Sequence, residues 1–106
     1  MPDETEDTPV LDTIAAMTAV SIAECDLPPA AVMLVRLAAL AAVDAGPASY
    51  LLNIGPAAEA GITLEDAENV LVAVAPIIGT ARTMSAAINI AEALELAIAV
   101  IEDDSE

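Results

Sequence analysis

The sequence predicts an all-α fold: a compact, oligomeric bundle of about five to six helices. Apolar residues recur at helical spacing through several long segments. Glycine and proline cluster at the few breaks between those segments, as they do between helices. We find no useful stretch with the apolar-polar alternation of a half-buried strand. Together these patterns indicate helices packed on helices.

Both ends of the chain are predicted to be acidic tails around one domain. Residues 1–9 (MPDETEDTP) and residues 102–106 (EDDSE) are rich in carboxylates and have no apolar periodicity. Such segments bury too little apolar surface to offset the entropy lost on ordering. We therefore expect a disordered tail over residues 1–9, a single all-α domain over residues 10–101, and a second tail over residues 102–106.

The first helix is predicted from about Val10 to Cys25. Apolar or small residues recur on one face of it: Leu11, Ile14, Ala15, Thr18 and Ile22. The helix ends before Pro28 and Pro29, because proline cannot continue the helical hydrogen-bond ladder.

The second helix is predicted from Pro28 or Pro29 to about Ala45. Arg36 is its one charge between Ala30 and Val43, and a helix that is apolar all round is buried all round. We therefore expect this helix to be central. A buried guanidinium needs an acidic partner. The sequence offers four candidates that it cannot separate: Asp12, Glu24, Asp44 and Glu59.

The third helix is predicted from about Pro47 to Ala60, with Gly61 as its C-terminal cap. The Gly55-Pro56 pair inside it predicts a kink or a split into two short helices.

The fourth helix begins after Thr63, which approximates a capping box with Asp66. Pro76 is expected to bend or end it, and Gly79 completes the turn. The last helix, from about Thr80 to Ile101, has two apolar faces, which implies two partners: its own bundle and a second subunit. One face holds Met84, Ala87, Ile88, Ala91, Leu94 and Ile98; the other holds Ile90, Ala93, Ala97 and Val100.

Charge excludes nucleic acid and anionic membrane surfaces as partners. The net charge is −16, with two basic residues and no histidine, whereas nucleic-acid binding depends on basic side chains that neutralise phosphates. Cys25 is the single cysteine, so no intrachain disulfide forms, and without a histidine to activate it we expect a small buried hydrophobe.

The apolar surplus favours subunit interfaces over a membrane. Hydrophobic residues make up 58% of the chain, above the usual 45–50% or so. Arg36 interrupts the most apolar stretch, and Glu92 and Glu95 interrupt the next, so neither makes a good membrane span. No basic segment follows Met1, so we expect no secretory signal and a cytoplasmic protein. A small membrane or membrane-edge protein is the alternative.

The run Ala57-x-x-x-Gly61-Ile62-Thr63-Leu64-Glu65-Asp66-Ala67, followed by a helix entered through Gly79-Thr80, resembles the carboxymuconolactone decarboxylase family, which includes the alkyl hydroperoxidase D-like proteins. The likeness covers roughly residues 28–94. It implies a helical fold, assembly into trimers or hexamers, and peroxidase or decarboxylase chemistry on small molecules.

The residues expected to carry that chemistry are absent. The resemblance places the family's Cys-x-x-Cys pair at Gly46 and Ser49, its histidine at Asn53, and its glutamate at or near Met33. None of these side chains can form a disulfide or relay a proton near neutral pH. With Tyr50, the one aromatic residue, these four positions are our candidates for a ligand pocket. We expect no catalytic residue, metal or cofactor.

Three functions therefore compete. The first is a catalytically degenerate homotrimer or hexamer with a structural role or a role in binding a partner or small ligand. The second is an enzyme that acts on a small hydroperoxide or lactone through unusual residues, such as Ser49, Tyr50 or Asn53. The third is the membrane-edge protein.

Overall fold

The computed structural model describes residues 8–104, and these residues form five α-helices. The helices are α1 (Pro9–Glu24), α2 (Pro29–Ala42), α3 (Pro47–Glu59), α4 (Leu64–Ile78) and α5 (Thr80–Asp104). The predicted all-helical class is confirmed. Of the two predicted tails, residues 1–7 and 105–106 lie outside the described part. The helices begin earlier and end later than expected, at Pro9 and Asp104.

The helix ends follow local rules that the sequence displays. The Thr63 hydroxyl accepts from the Asp66 amide at 3.0 Å, and the Asp66 carboxylate accepts from the Thr63 amide at 2.9 Å. This reciprocal pair is the predicted capping box. Gly61 has a φ of 84°, and the Ile62 amide donates to the Ala57 carbonyl at 2.9 Å. That geometry closes α3 as a Schellman motif.

The two internal prolines do not end their helices. Helix α3 runs through Pro56 to Glu59, so it does not split. Helix α4 runs through Pro76 to Ile78. Each proline lies within the last turn or so of its helix, where the lost amide removes a single hydrogen bond and the chain continues.

The core of the bundle is built on small residues. Helices α2, α3, α4 and α5 pack on one another. The buried cluster at their centre consists of Ala41, Tyr50, Leu71, Ala86 and Ala93. Three of its five members are alanine, so the helices approach closely but bury little apolar area per residue. Much of the apolar surface of the chain therefore stays outside this core.

The prediction that α2 is buried on every side is wrong for the single chain. Val35 is 58% exposed and Val43 is 72% exposed, although Ala41 is fully buried. The predicted acidic partner of Arg36 is wrong as well, because its guanidinium Nη2 donates to the Ser21 hydroxyl at 2.9 Å instead. The half-buried Arg36 side chain is not desolvated enough to require a carboxylate.

Helix α1 lies apart from the bundle. None of its 16 residues is buried, and it has no substantial packing contact with the other four helices. Only its C-terminal end approaches them, through the Ser21–Arg36 hydrogen bond. The radius of gyration is 15.0 Å, against about 13 Å for a globule of roughly 100 residues. Both facts describe an apolar helix that projects from a small bundle.

A hydrogen-bonded corner joins the α2–α3 turn to α5. The Ser85 hydroxyl donates to the Asp44 carboxylate at 2.7 Å, and the Asn89 amide donates to the Ala45 carbonyl at 3.1 Å. Asp44 has a φ of 57°, a left-handed conformation that aspartate tolerates better than most residues. This corner fixes the start of α3, and with it the position of Tyr50.

Candidate functional site

Residues of four helices line a half-open cavity of about 190 Å³. Its wall is aliphatic apart from three residues with polar groups, Tyr50, Asn53 and Thr63. The remaining lining side chains are Met33, Leu37, Leu40, Ile54, Ala57, Ala58, Ile62, Leu64, Ala67, Ile90, Ala93 and Leu94. An apolar hollow with a few polar groups is the usual form of a small-molecule site.

Tyr50 is the most buried of the polar side chains on this wall. It is only 3% exposed, and its hydroxyl is buried with no hydrogen-bond partner among the described residues. Burial raises the pKa of the phenol above its usual value, and the nearby Asp44 carboxylate raises it further. The hydroxyl therefore stays protonated at neutral pH, and its oxygen has less than 1 Å² of accessible surface.

Asn53 lies one helical turn after Ser49 and supplies the second polar group. Its side-chain Nδ2 donates to the Ser49 carbonyl at 2.8 Å. That bond fixes the carboxamide and leaves its Oδ1 with no hydrogen bond to the described residues. The oxygen is an acceptor on a half-buried residue that lines the cavity.

Three of the five predicted pocket residues meet at this cavity. Met33, Tyr50 and Asn53 line it, whereas Gly46 and Ser49 do not. Gly46 is the N-cap of α3 and is exposed. Ser49 contributes only its backbone carbonyl, which holds the Asn53 amide. Ser49 therefore contacts Asn53 through its backbone carbonyl and not through its hydroxyl.

The sequence did not identify the residues of α4 and α5 that line the cavity. Ala67 of α4 and Ala93 of α5 are buried and line the cavity, as does the half-buried Ile90. Helical spacing assigns these residues to an apolar face, but it cannot say whether that face closes on a neighbour or leaves a gap. The small size of Ala67 and Ala93 is the one available signal.

The cavity wall offers no cation, nucleophile or metal site. Neither arginine lines it. Within the part of the chain that the structure describes, no three His, Cys, Asp or Glu residues are grouped to hold a metal ion. Cys25 is half-buried and lines a different cleft, between the end of α1, the start of α2 and the end of α3. The lining therefore consists of apolar side chains and three residues with polar groups, Tyr50, Asn53 and Thr63.

One described helix meets the length and hydropathy expected of a membrane span. The segment is Thr80–Val100 of α5, with a mean hydropathy of 1.4. The core helix of a soluble protein passes the same test but is mostly buried, whereas 11% of this segment is buried inside the fold. In this fold α5 packs against α2, α3 and α4.

In comparisons with known proteins, no family model, no curated protein and no solved structure matches this chain.

Proposed function

We propose that this protein is a non-catalytic homo-oligomer of the carboxymuconolactone decarboxylase-like kind, whose role is assembly or binding. The observation that carries the proposal is α1, an apolar helix of 16 residues with no buried residue. In water, one chain alone would leave this helix without a hydrophobic partner. Burial against another subunit removes these apolar side chains from water.

The area available is close to what a specific interface needs. Six large apolar side chains of α1 are between 41% and 69% exposed: Val10, Leu11, Ile14, Met17, Val20 and Ile22. At about 100 Å² of exposed area each, they offer on the order of 600 Å², against about 800 Å² per partner in a standard interface. Val72 and Ile77 of α4, at 72% and 85% exposure, provide further apolar surface for the same purpose.

A second copy of the chain is the occupant that this surface fits best. Between Val10 and Ala23, Asp12 is the only charged residue, so the acidic character of the protein is not carried by this helix. The predicted apolar face of α5 that contains Met84, Ile88 and Ile98 is also exposed, with these residues at 57%, 56% and 53%. An exposed apolar helix and exposed apolar faces on the same chain are complementary in chemistry.

The absence of histidine and lysine supports a non-catalytic role. The chain has no histidine, and its two basic residues are Arg36 and Arg82. A serine nucleophile at Ser49 would lack the side chains that normally activate it. Enzymatic action on a hydroperoxide or lactone is the competing hypothesis, and a panel of both substrate classes tests it directly.

The assembly is tested by measuring molar mass with light scattering and sedimentation equilibrium across micromolar concentrations. We expect a single species of trimeric or hexameric mass. A folded monomer over the whole range would refute the proposal.

A matched pair of variants tests whether α1 forms the subunit interface. Positions two apart on a helix lie roughly 160° apart around its axis, so Met17→Lys places a charge among the large apolar side chains and Ala19→Lys places it across the helix. We expect Met17→Lys to lower the assembled fraction at least tenfold more than Ala19→Lys. Equal effects of the two variants would show that α1 is not the interface.

A further inference from the structure

We propose that the half-open cavity between α2, α3, α4 and α5 receives helix α1 of a second copy of this chain, so that subunits join head to tail. This inference rests on the proposed function, because it takes assembly through α1 as given and names the surface that binds the helix. Among the described residues, those that line the cavity begin at Met33, so α1 does not cover the cavity of its own chain. The cavity is therefore open to a helix from a neighbouring chain.

The large apolar side chains of α1 spread too widely around the helix for a simple pairing of two helices. At about 100° per residue, the arc from Val20, past Met17, to Ile22 covers about 200° of the circumference. The seam of a two-stranded coiled coil is much narrower. So wide an arc is buried only where walls contact the helix on more than one side. The cavity provides such walls, because residues of four helices line it.

Charge favours the cavity over the exposed face of α5 as the receiving surface. Each copy has a net charge of −16, so two copies approach most easily where both surfaces lack carboxylates. Among the described residues, none that line the cavity is charged. Asp12, the only charged residue between positions 10 and 23, lies outside the apolar arc of α1. The exposed face of α5, in contrast, has Glu95 between Ile88 and Ile98, and burial of that carboxylate would be costly.

The contact reaches the size of a specific interface. The large apolar side chains of α1 offer on the order of 600 Å², and a similar area on the receiving surface gives a total of about 1,200 Å², the lower end of the standard range. An engineered apolar cavity of about 150 Å³ holds a benzene molecule, so a cavity of about 190 Å³ accommodates one or two aliphatic side chains of the incoming helix.

Head-to-tail contact also agrees with the expected assembly. Each subunit inserts its helix into one neighbour and receives a helix from another, which is a heterologous contact that can close into a ring. A trimer or hexamer can form in this way. Pairing of α1 with α1 about a two-fold axis would instead give a dimer.

Lysine substitutions on α3 test the receiving surface in the full-length protein. Ala58 and Ala48 are both exposed, but Ala58 lines the cavity and Ala48 does not. Because both positions are exposed, lysine at either is compatible with the fold. By light scattering and sedimentation equilibrium, we expect Ala58→Lys to lower the assembled fraction at least tenfold more than Ala48→Lys. Equal effects of these two variants, with assembly still lost in Met17→Lys, would refute the cavity as the seat of α1 and leave the proposed function standing.

Mixing two defective subunits provides the second test. Met17→Lys protein has an altered α1 and an intact cavity, and Ala58→Lys protein has the reverse. An equimolar mixture should therefore form a two-chain species that neither variant forms alone. The double variant, which lacks both surfaces, should form no such species with Met17→Lys protein. Because Tyr50 lines the cavity and is the only aromatic residue, its near-ultraviolet circular dichroism should change on mixing. Absence of the two-chain species would overturn the proposal.

Discussion

Replacement of Tyr50 with phenylalanine should make the ligand-free protein more stable. The Tyr50 hydroxyl is buried and has no hydrogen-bond partner among the described residues. Leaving such a group without a partner costs about 1 to 3 kcal/mol. The variant removes that cost and loses the van der Waals contacts of one oxygen, about 0.5 to 1 kcal/mol. We therefore expect a net stabilisation of about 1 kcal/mol.

Urea unfolding measures this change. The far-ultraviolet circular dichroism signal is monitored, because phenylalanine is the only aromatic residue left in the variant. Protein concentration must be held fixed, since the stability of an oligomer depends on it. For a domain of roughly this size, about 1 kcal/mol corresponds to a rise in Tm of about 4 to 8 °C. A destabilisation of about 1 kcal/mol or more would mean that the hydroxyl has a protein partner in the assembled state, and would refute the reasoning.

Alkaline pH gives the same variant a second, independent readout. Burial and then Asp44 raise the pKa of Tyr50 in the folded state, so above about pH 10 the unfolded chain loses a proton that the folded chain retains. Wild-type stability should therefore fall by up to about 1.4 kcal/mol per pH unit above pH 10. Tyr50→Phe should lack this component. Identical pH dependence of the two proteins above pH 10 would contradict the assigned burial of the phenol.

Three further outcomes follow from the fold. Thr63→Ala removes the α4 cap and should lower the free energy of unfolding in urea by about 1 kcal/mol. The control Thr13→Ala, within exposed α1, should change it by less than about half of that. Equal losses of stability in the two variants would contradict the capping role. Gly79 has a φ of 93°, so Gly79→Ala should destabilise by about 1 to 3 kcal/mol. A Gly79→Ala variant as stable as the wild type in urea unfolding would be inconsistent with that backbone conformation. The protein should be recovered without detergent despite the apolar Thr80–Val100 segment; recovery only in the membrane fraction would favour the membrane-edge hypothesis.

Local signals in the sequence predicted the helices well. The capping box at Thr63 and the glycine cap at Gly61 depend on residues within a few positions of one another. They can therefore be recognised from the sequence without knowledge of the fold. The prolines were harder to interpret. Pro56 and Pro76 predicted breaks or bends, yet both helices continue for at least two residues, because a proline near a helix end removes only one hydrogen bond.

Burial was predicted less well, because it depends on which helices meet. The sequence of α2 is apolar on all sides, but Val35 and Val43 face solvent in the single chain. Apolar periodicity shows that a face needs a partner and does not show whether the partner belongs to the same chain. For the same reason, α1 was expected to be part of the bundle and instead projects from it.

The residues of the candidate site were likewise predictable only in part. The α3 residues Tyr50 and Asn53 were identifiable as polar residues in an apolar segment, and both line the cavity. The exclusion of Ser49, which lies one residue before Tyr50, follows only from how α3 is rotated against its neighbours.

By itself, the sequence determined the helices, their caps, the acidic character and the absence of histidine and lysine. Those properties depend on residue type and on spacing of a few positions. Only the tertiary structure decided that four helices line a half-open cavity, that the buried Tyr50 hydroxyl has no partner among the described residues, and that α1 lies outside the bundle. Such outcomes depend on packing between segments far apart in the chain, where small differences in side-chain volume decide whether surfaces close on each other or leave space.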